Sequence, residues 1–110
     1  MEYISLDKDP NQAFTIFTNG MTLTITLQWF RGLMYYSIDT VGGENIVSSE
    51  RECNGSFLLP QRFEKSGDGG NLCFIDDNGD YPDYRNFNGS CVLVRYNQEE
   101  VDAIRASWIK

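Results

Sequence analysis

The chain has 110 residues, with 16 acidic and 9 basic side chains, a net charge of −7 and no histidine. That length suits one domain and not two, and an apolar content of 41% is enough to fold a core. The acidic balance excludes a binder of nucleic-acid phosphates or of anionic lipid, both of which need a basic face. The missing histidine removes the commonest general base and the Ser–His and Cys–His nucleophile pairs. The chain is therefore read as a non-enzyme, with no catalytic residue and no cofactor.

No apolar run approaches the roughly 18 residues of a membrane span. The opening Met1-Glu2-Tyr3-Ile4-Ser5 lacks the basic region and apolar stretch of a secretory signal.

The first expected elements are a strand over Phe14–Thr18 and another over Met21–Trp29, joined at Asn19-Gly20. Asn-Gly supplies the positive φ angles of a two-residue hairpin turn. Met21, Leu23, Ile25, Leu27 and Trp29 alternate with Thr22, Thr24, Thr26 and Gln28, the period of a strand buried on one face. Phe30-Arg31-Gly32 makes the next turn, into a strand over Leu33–Asp39. There Met34, Tyr36 and Ile38 share one side and Leu33, Tyr35 and Ser37 the other, a pattern expected of a strand covered on both faces. Val41-Gly42-Gly43-Glu44 turns the chain towards a short strand near Asn45–Ser49, completing a meander of three or four strands.

Farther on, Asn54-Gly55 marks a turn and Phe57-Leu58-Leu59 a short apolar run ended by Pro60. Ser66-Gly67-Asp68-Gly69-Gly70 reads as a loop, Leu72–Ile75 as a strand, and Asp76–Gly89 as a long loop with its own packing. Cys91–Tyr96 is the last strand. Asn97 ahead of Gln98-Glu99-Glu100 forms a capping pattern, and Val101 and Ile104 fall at helical spacing, predicting a helix over about 98–107. The fold class is all-β, mainly antiparallel: a small barrel or sandwich of about 6–8 strands with a short C-terminal helix, as one unit over 1–110.

The chemistry-bearing residues form no strong motif. Cys53, Cys73 and Cys91 are an odd, widely spaced set without a CxxC pair, which suits reduced, buried thiols better than disulfides or zinc. Asp76-Asp77-Asn78-Gly79-Asp80 begins like a calcium loop, but Tyr81 and Phe87 stand where the EF-hand needs Gly and Glu. A polar turn is the plainer reading, and cation binding by Asp76–Asp83 stays open. Asp76, Asp80 and Asp83 would be the acids of any small enzyme or enzyme inhibitor built on this chain. Asn54-Gly55-Ser56 and Asn88-Gly89-Ser90 match a glycosylation sequon by chance. Tyr81, Tyr84 and Phe87 on the long loop and Trp108 in the helix are candidate interface residues, since loop aromatics anchor protein contacts or stack on sugars. For the loop trio, interface and core are equally good readings.

In order and spacing, the chain resembles the baseplate plug proteins of contractile-tailed bacteriophages. The resemblance rests on Pro10-Asn11-Gln12-Ala13-Phe14, Leu27-Gln28-Trp29-Phe30, Tyr36-Ser37-Ile38-Asp39, Ile46-Val47, Gly55 with Leu58-Leu59, and Gly70-Asn71-Leu72 with Ile75-Asp76. It continues through Pro82-Asp83-Tyr84 and Asn86-Phe87-Asn88-Gly89 into Val92–Tyr96, so that it covers residues 4 to 97. Ser49 and Glu52 depart from it, standing where the family tends to have glycine and an apolar residue, and so does the helical ending.

The resemblance implies a structural, plug-like component of the tail baseplate, near the central hub and spike. It would be held by hub, spike, baseplate or tube proteins, in multiple symmetric copies, with folding in the host bacterial cytoplasm before assembly into the virion. The alternative is a stand-alone carbohydrate- or peptide-binding module using the loop aromatics.

Overall fold

The computed structural model describes residues 1–52, 54–64 and 69–108. It contains two antiparallel sheets that face one another across one hydrophobic core and do not close into a barrel. Of the two expected architectures, the sandwich is the one observed. Strands β2 (Asn11–Thr18), β3 (Met21–Phe30), β4 (Leu33–Thr40) and β5 (Asn45–Arg51) form a four-stranded meander in sequence order. Strands β1 (Glu2–Ile4), β6 (Asn71–Asp76) and β7 (Cys91–Tyr96) form the second sheet, with β7 in the centre. Helix α1 (Gln98–Trp108) follows directly.

Local chemistry explains the meander. Asn19 and Gly20 have φ of 56° and 73°, and Arg31 and Gly32 have 52° and 81°. Both two-residue turns thus take the doubly left-handed form whose twist matches the flanking strands. In β3, Leu23, Ile25 and Leu27 are fully buried, while Thr22 and Gln28 face outward. In β4, Met34, Tyr36 and Ile38 join the core. The other face of β4 differs from expectation: Leu33, Tyr35 and Ser37 are only half-buried. No second layer covers them among the described residues, and Tyr35 is sheltered instead by an edge contact with Phe30 at 6.4 Å between centroids.

From the second sheet, Leu72, Phe74, Cys91 and Leu93 meet the meander, and Phe87 stacks on Phe74 at 5.9 Å. Burying side chains of this size contributes about 1.5–3 kcal/mol each, before chain entropy is set against it. The apolar run Phe57–Leu59 is not a strand. It lies along β6, where Leu58 N–H donates to Leu72 O and the Tyr36 hydroxyl reaches across to Leu58 O at 3.1 Å. Asn71 fixes it: its Oδ1 accepts from Leu59 N at 2.8 Å, and its Nδ2 donates to Leu59 O at 2.9 Å and to Glu64 Oε2 at 2.8 Å.

The β2–β3 turn is docked against the second sheet and is not a solvent tip. Asn19 is wholly buried and donates to Phe63 O and Gly70 O, while Thr18 Oγ1 accepts from Arg95 Nε at 2.6 Å. Gly70 has φ 112°, and a Cβ there would stand 2.3 Å from Tyr96 O, so only glycine fits. Helix α1 opens with a reciprocal cap, Glu100 N–H to Asn97 Oδ1 and Asn97 N–H to Glu100 Oε1. Its Val101 is buried, and no helix among the described residues is long and apolar enough to cross a membrane.

Candidate functional site

The four sequence-selected aromatics do not share a site. Phe87 lies in the core with no exposed surface, so its interface reading gives way to the core reading. The loop closes over it because Asn86 and Phe87 bond back to Asp83 and Tyr84, winding the short 3-10 turn Tyr84–Asn86. Tyr84 is half-buried, edge-on to Trp29 at 5.3 Å. Arg85 lies over both rings and is held by Asp83, whose carboxyl the guanidinium bond keeps below the usual aspartate range. Tyr81 and Trp108 are more than half exposed.

Tyr81 belongs to a larger surface set. The Arg51 guanidinium lies 4.8 Å from the Tyr81 ring centre, and Arg51 is the cross-strand neighbour of Tyr35. Tyr35 touches Phe30, which carries Arg31 over its ring at 5.1 Å. A cleft of about 390 Å³ lined by Asn11, Gln28, Phe30, Tyr35 and Ser49 opens on this end of the meander. The sequence does not single out Phe30, which falls in an expected turn, or Tyr35, which falls on a strand face expected to be covered. The signal was present, because Phe30 falls in phase with the outward threonines of β3 and not with Leu27. Trp108 belongs to a different cluster, with Phe57 at 5.5 Å and Arg105, which also binds the buried Glu64 carboxylate through Nε and Nη2.

The acidic loop uses its first carboxylate internally. Asp76 Oδ1 accepts from Asn78 N at 2.8 Å and Asp80 N at 3.3 Å, closing a tight polar turn with Gly79 at φ 74°. Among the described residues, no three His, Cys, Asp or Glu side chains are grouped to hold a metal ion. Both sequon asparagines are also engaged: Asn54 Oδ1 accepts from Asp76 N, and the Asn88 amide pairs with the backbone of Leu6 in both directions. Burial pushes the Cys73 thiol up to about 11 and the Cys91 thiol up to about 12, which suppresses the reactive thiolate. Cys53 and the Ser66–Asp68 part of the expected glycine-rich loop lie outside the described residues.

Ser49 and Glu52 are unusual in a physically coherent way. Ser49 sits at φ 45° in a bulge opposite Ser37, a conformation that favours glycine. Glu52 is 1% exposed, and neither of its carboxylate oxygens has a hydrogen-bond partner among the described residues. Burial raises its carboxyl to about 8. The backbone at Ser49 suits glycine, and the burial of Glu52 suits an apolar side chain.

In class, then, the molecule is a two-sheet β sandwich with a capped C-terminal helix, and its exposed Phe30, Tyr81 and Trp108 rings lie beside arginines. A family model described as cyanophage baseplate Pam3 plug gp18 matches residues 1–98, and the chain belongs to that family of phage baseplate plug proteins. It is thus a structural protein of the phage baseplate, and the family implies a place in the virion tail. The matched span ends at the first residue of α1. No curated protein matches the chain.

Proposed function

We propose that the chain acts by packing, as a plug-like body near the hub and spike on the tail axis, in multiple copies held by larger baseplate, hub, spike or tube proteins. It carries out no reaction and engages neither nucleic acid nor membrane. It folds as one unit over 1–110 in the host cytoplasm before it joins the virion.

The observation that carries this reading is the set Phe30, Arg31, Tyr35, Arg51 and Tyr81 at one end of the meander, in a chain of the plug family. Aromatics stacked with arginine are the side chains enriched at the centres of protein interfaces, where a few residues hold most of the binding energy. Tyr81 serves there as an anchor. Trp108, beside Phe57 and Arg105, offers a second contact on the helix.

Co-expression of the full chain with the hub and spike proteins of the same phage tests this. The wild type is expected to co-purify with them, and Phe30→Ala with Tyr81→Ala is expected to weaken the complex by at least about tenfold. Both residues are largely exposed, so the variant should melt like the wild type. Undiminished co-purification of the folded variant would contradict the assigned surface.

A further inference from the structure

Among the described residues, every sheet edge but one carries a device against pairing with another chain. β1 has three residues and includes Glu2; β5 is bulged at Ser49 and carries Glu50 and Arg51; β6 is roofed by residues 54–59. Short strands, charges, bulges and covering segments are the known ways to blunt an edge. β2 has none of them. Its sequence Asn11–Thr18 is uncharged and free of proline, and it pairs with β3 from Asn11↔Gln28 to Thr18↔Met21 without a register shift.

The two-residue turn fixes which backbone groups are open. Thr18 and Met21 flank it as a hydrogen-bonded pair, so Ile16 and Phe14 also bond to β3, and the N–H and C=O groups of Ala13, Thr15 and Phe17 point away from the sheet. Trp29 N–H donating to Asn11 Oδ1 and Val41 N–H donating to Thr22 O follow the same alternation. Phe17 is 72% exposed, and Phe14 and Ile16 pack on the core while remaining half-buried at its open side.

We propose that the β2 edge pairs with β2 of a second copy of this chain, antiparallel about a two-fold axis through Thr15, joining the two meanders into one continuous sheet. The strand is self-complementary about that point. Thr15 meets Thr15 of the second copy, and the small Ala13 lies opposite the large Phe17 on the outer face. Phe14 lies opposite Ile16 on the inner face, an aromatic–β-branched pair that extends both cores. This inference rests on strand geometry and does not depend on the baseplate reading. Since each copy carries a charge of −7 and the paired strands carry none, salt screens the repulsion without weakening the contact. The dimer is expected to tighten as ionic strength rises.

Sedimentation velocity of the purified full chain, from micromolar to millimolar concentration, tests the proposal. The wild type is expected to pass from monomer to dimer, more readily in high salt. Thr15→Pro removes only an outward N–H that the monomer does not use, so it should stay folded by circular dichroism and remain monomeric. T15K and T15E should each be monomeric, and an equimolar mixture should recover the dimer because the opposite charges meet at the axis. A wild type that stays monomeric throughout would overturn the proposal. So would a dimer indifferent to Thr15→Pro, or a mixture of T15K and T15E that fails to associate.

Discussion

Along β6 the outward backbone is occupied: Gly55 N–H donates to Phe74 O, Leu58 N–H donates to Leu72 O, and Asn71 clamps both main-chain groups of Leu59. Along β2 the corresponding groups of Ala13, Thr15 and Phe17 face outward with no strand beside them among the described residues. The two edges belong to sheets that share a core, yet one is built for stability and the other is left for contact. The covered edge is also the more deeply packed: the inward side chains of β6 are almost all fully buried, whereas those of β2 are mostly half-buried. Substitutions should divide accordingly.

The largest expected effect lies on the covered side. Phe74→Ala removes a fully buried ring stacked on Phe87 and should cost about 3–5 kcal/mol in guanidinium unfolding. Phe17→Thr on the open edge of β2 should change monomer stability by less than about 0.5 kcal/mol. Equal losses at the two positions would erase the distinction between the edges.

Next in size is Glu52. Its folded carboxyl titrates at about 8 against an ordinary 4.5, so folding carries no penalty from this group below pH 4.5. As pH rises from 4.5 to 8 the unfolded chain ionises first and stability falls, by about 3 kcal/mol at pH 7; above 8 the loss levels off. Glu52→Gln should remove that fall between pH 5 and 8, and Glu52→Leu should raise stability at pH 8 outright. Chemical denaturation at the two pH values measures both. A Glu52→Gln variant with an unchanged pH dependence would show that the carboxyl is not buried neutral.

The smallest effect is expected at Ser49. Ser49→Gly relieves a left-handed backbone at the β5 bulge and should stabilise by about 0.5–1 kcal/mol, visible as a small rise in Tm.

The meander was legible because its information is local. Two turns with left-handed residues and an unbroken alternation specify four strands without reference to the rest of the chain. The capping box did the same for α1. What escaped was non-local. Strand β1 is three residues long and exists only because Tyr3 pairs with Val94, far along the chain. The apolar run Phe57–Leu59 takes its place from the side chain of Asn71 and from a bridge of Phe57 to Cys73 in β6. Phe87 sits in a loop of polar residues, where core and interface read alike, and its stacking on Phe74 places it in the core. The candidate surface was half visible: Tyr81 stands out in a loop, whereas Phe30 required reading its phase against Leu27.

Whether this chain is a built-in part of the tail tip can be measured directly by electron cryomicroscopy of intact phage particles that carry its gene. A two-sheet body with a C-terminal helix is expected in the baseplate near the tail axis, its Tyr81 end against a larger neighbour. Well-resolved baseplate density that leaves no room for such a body, with the chain absent from purified particles by mass spectrometry, would contradict it.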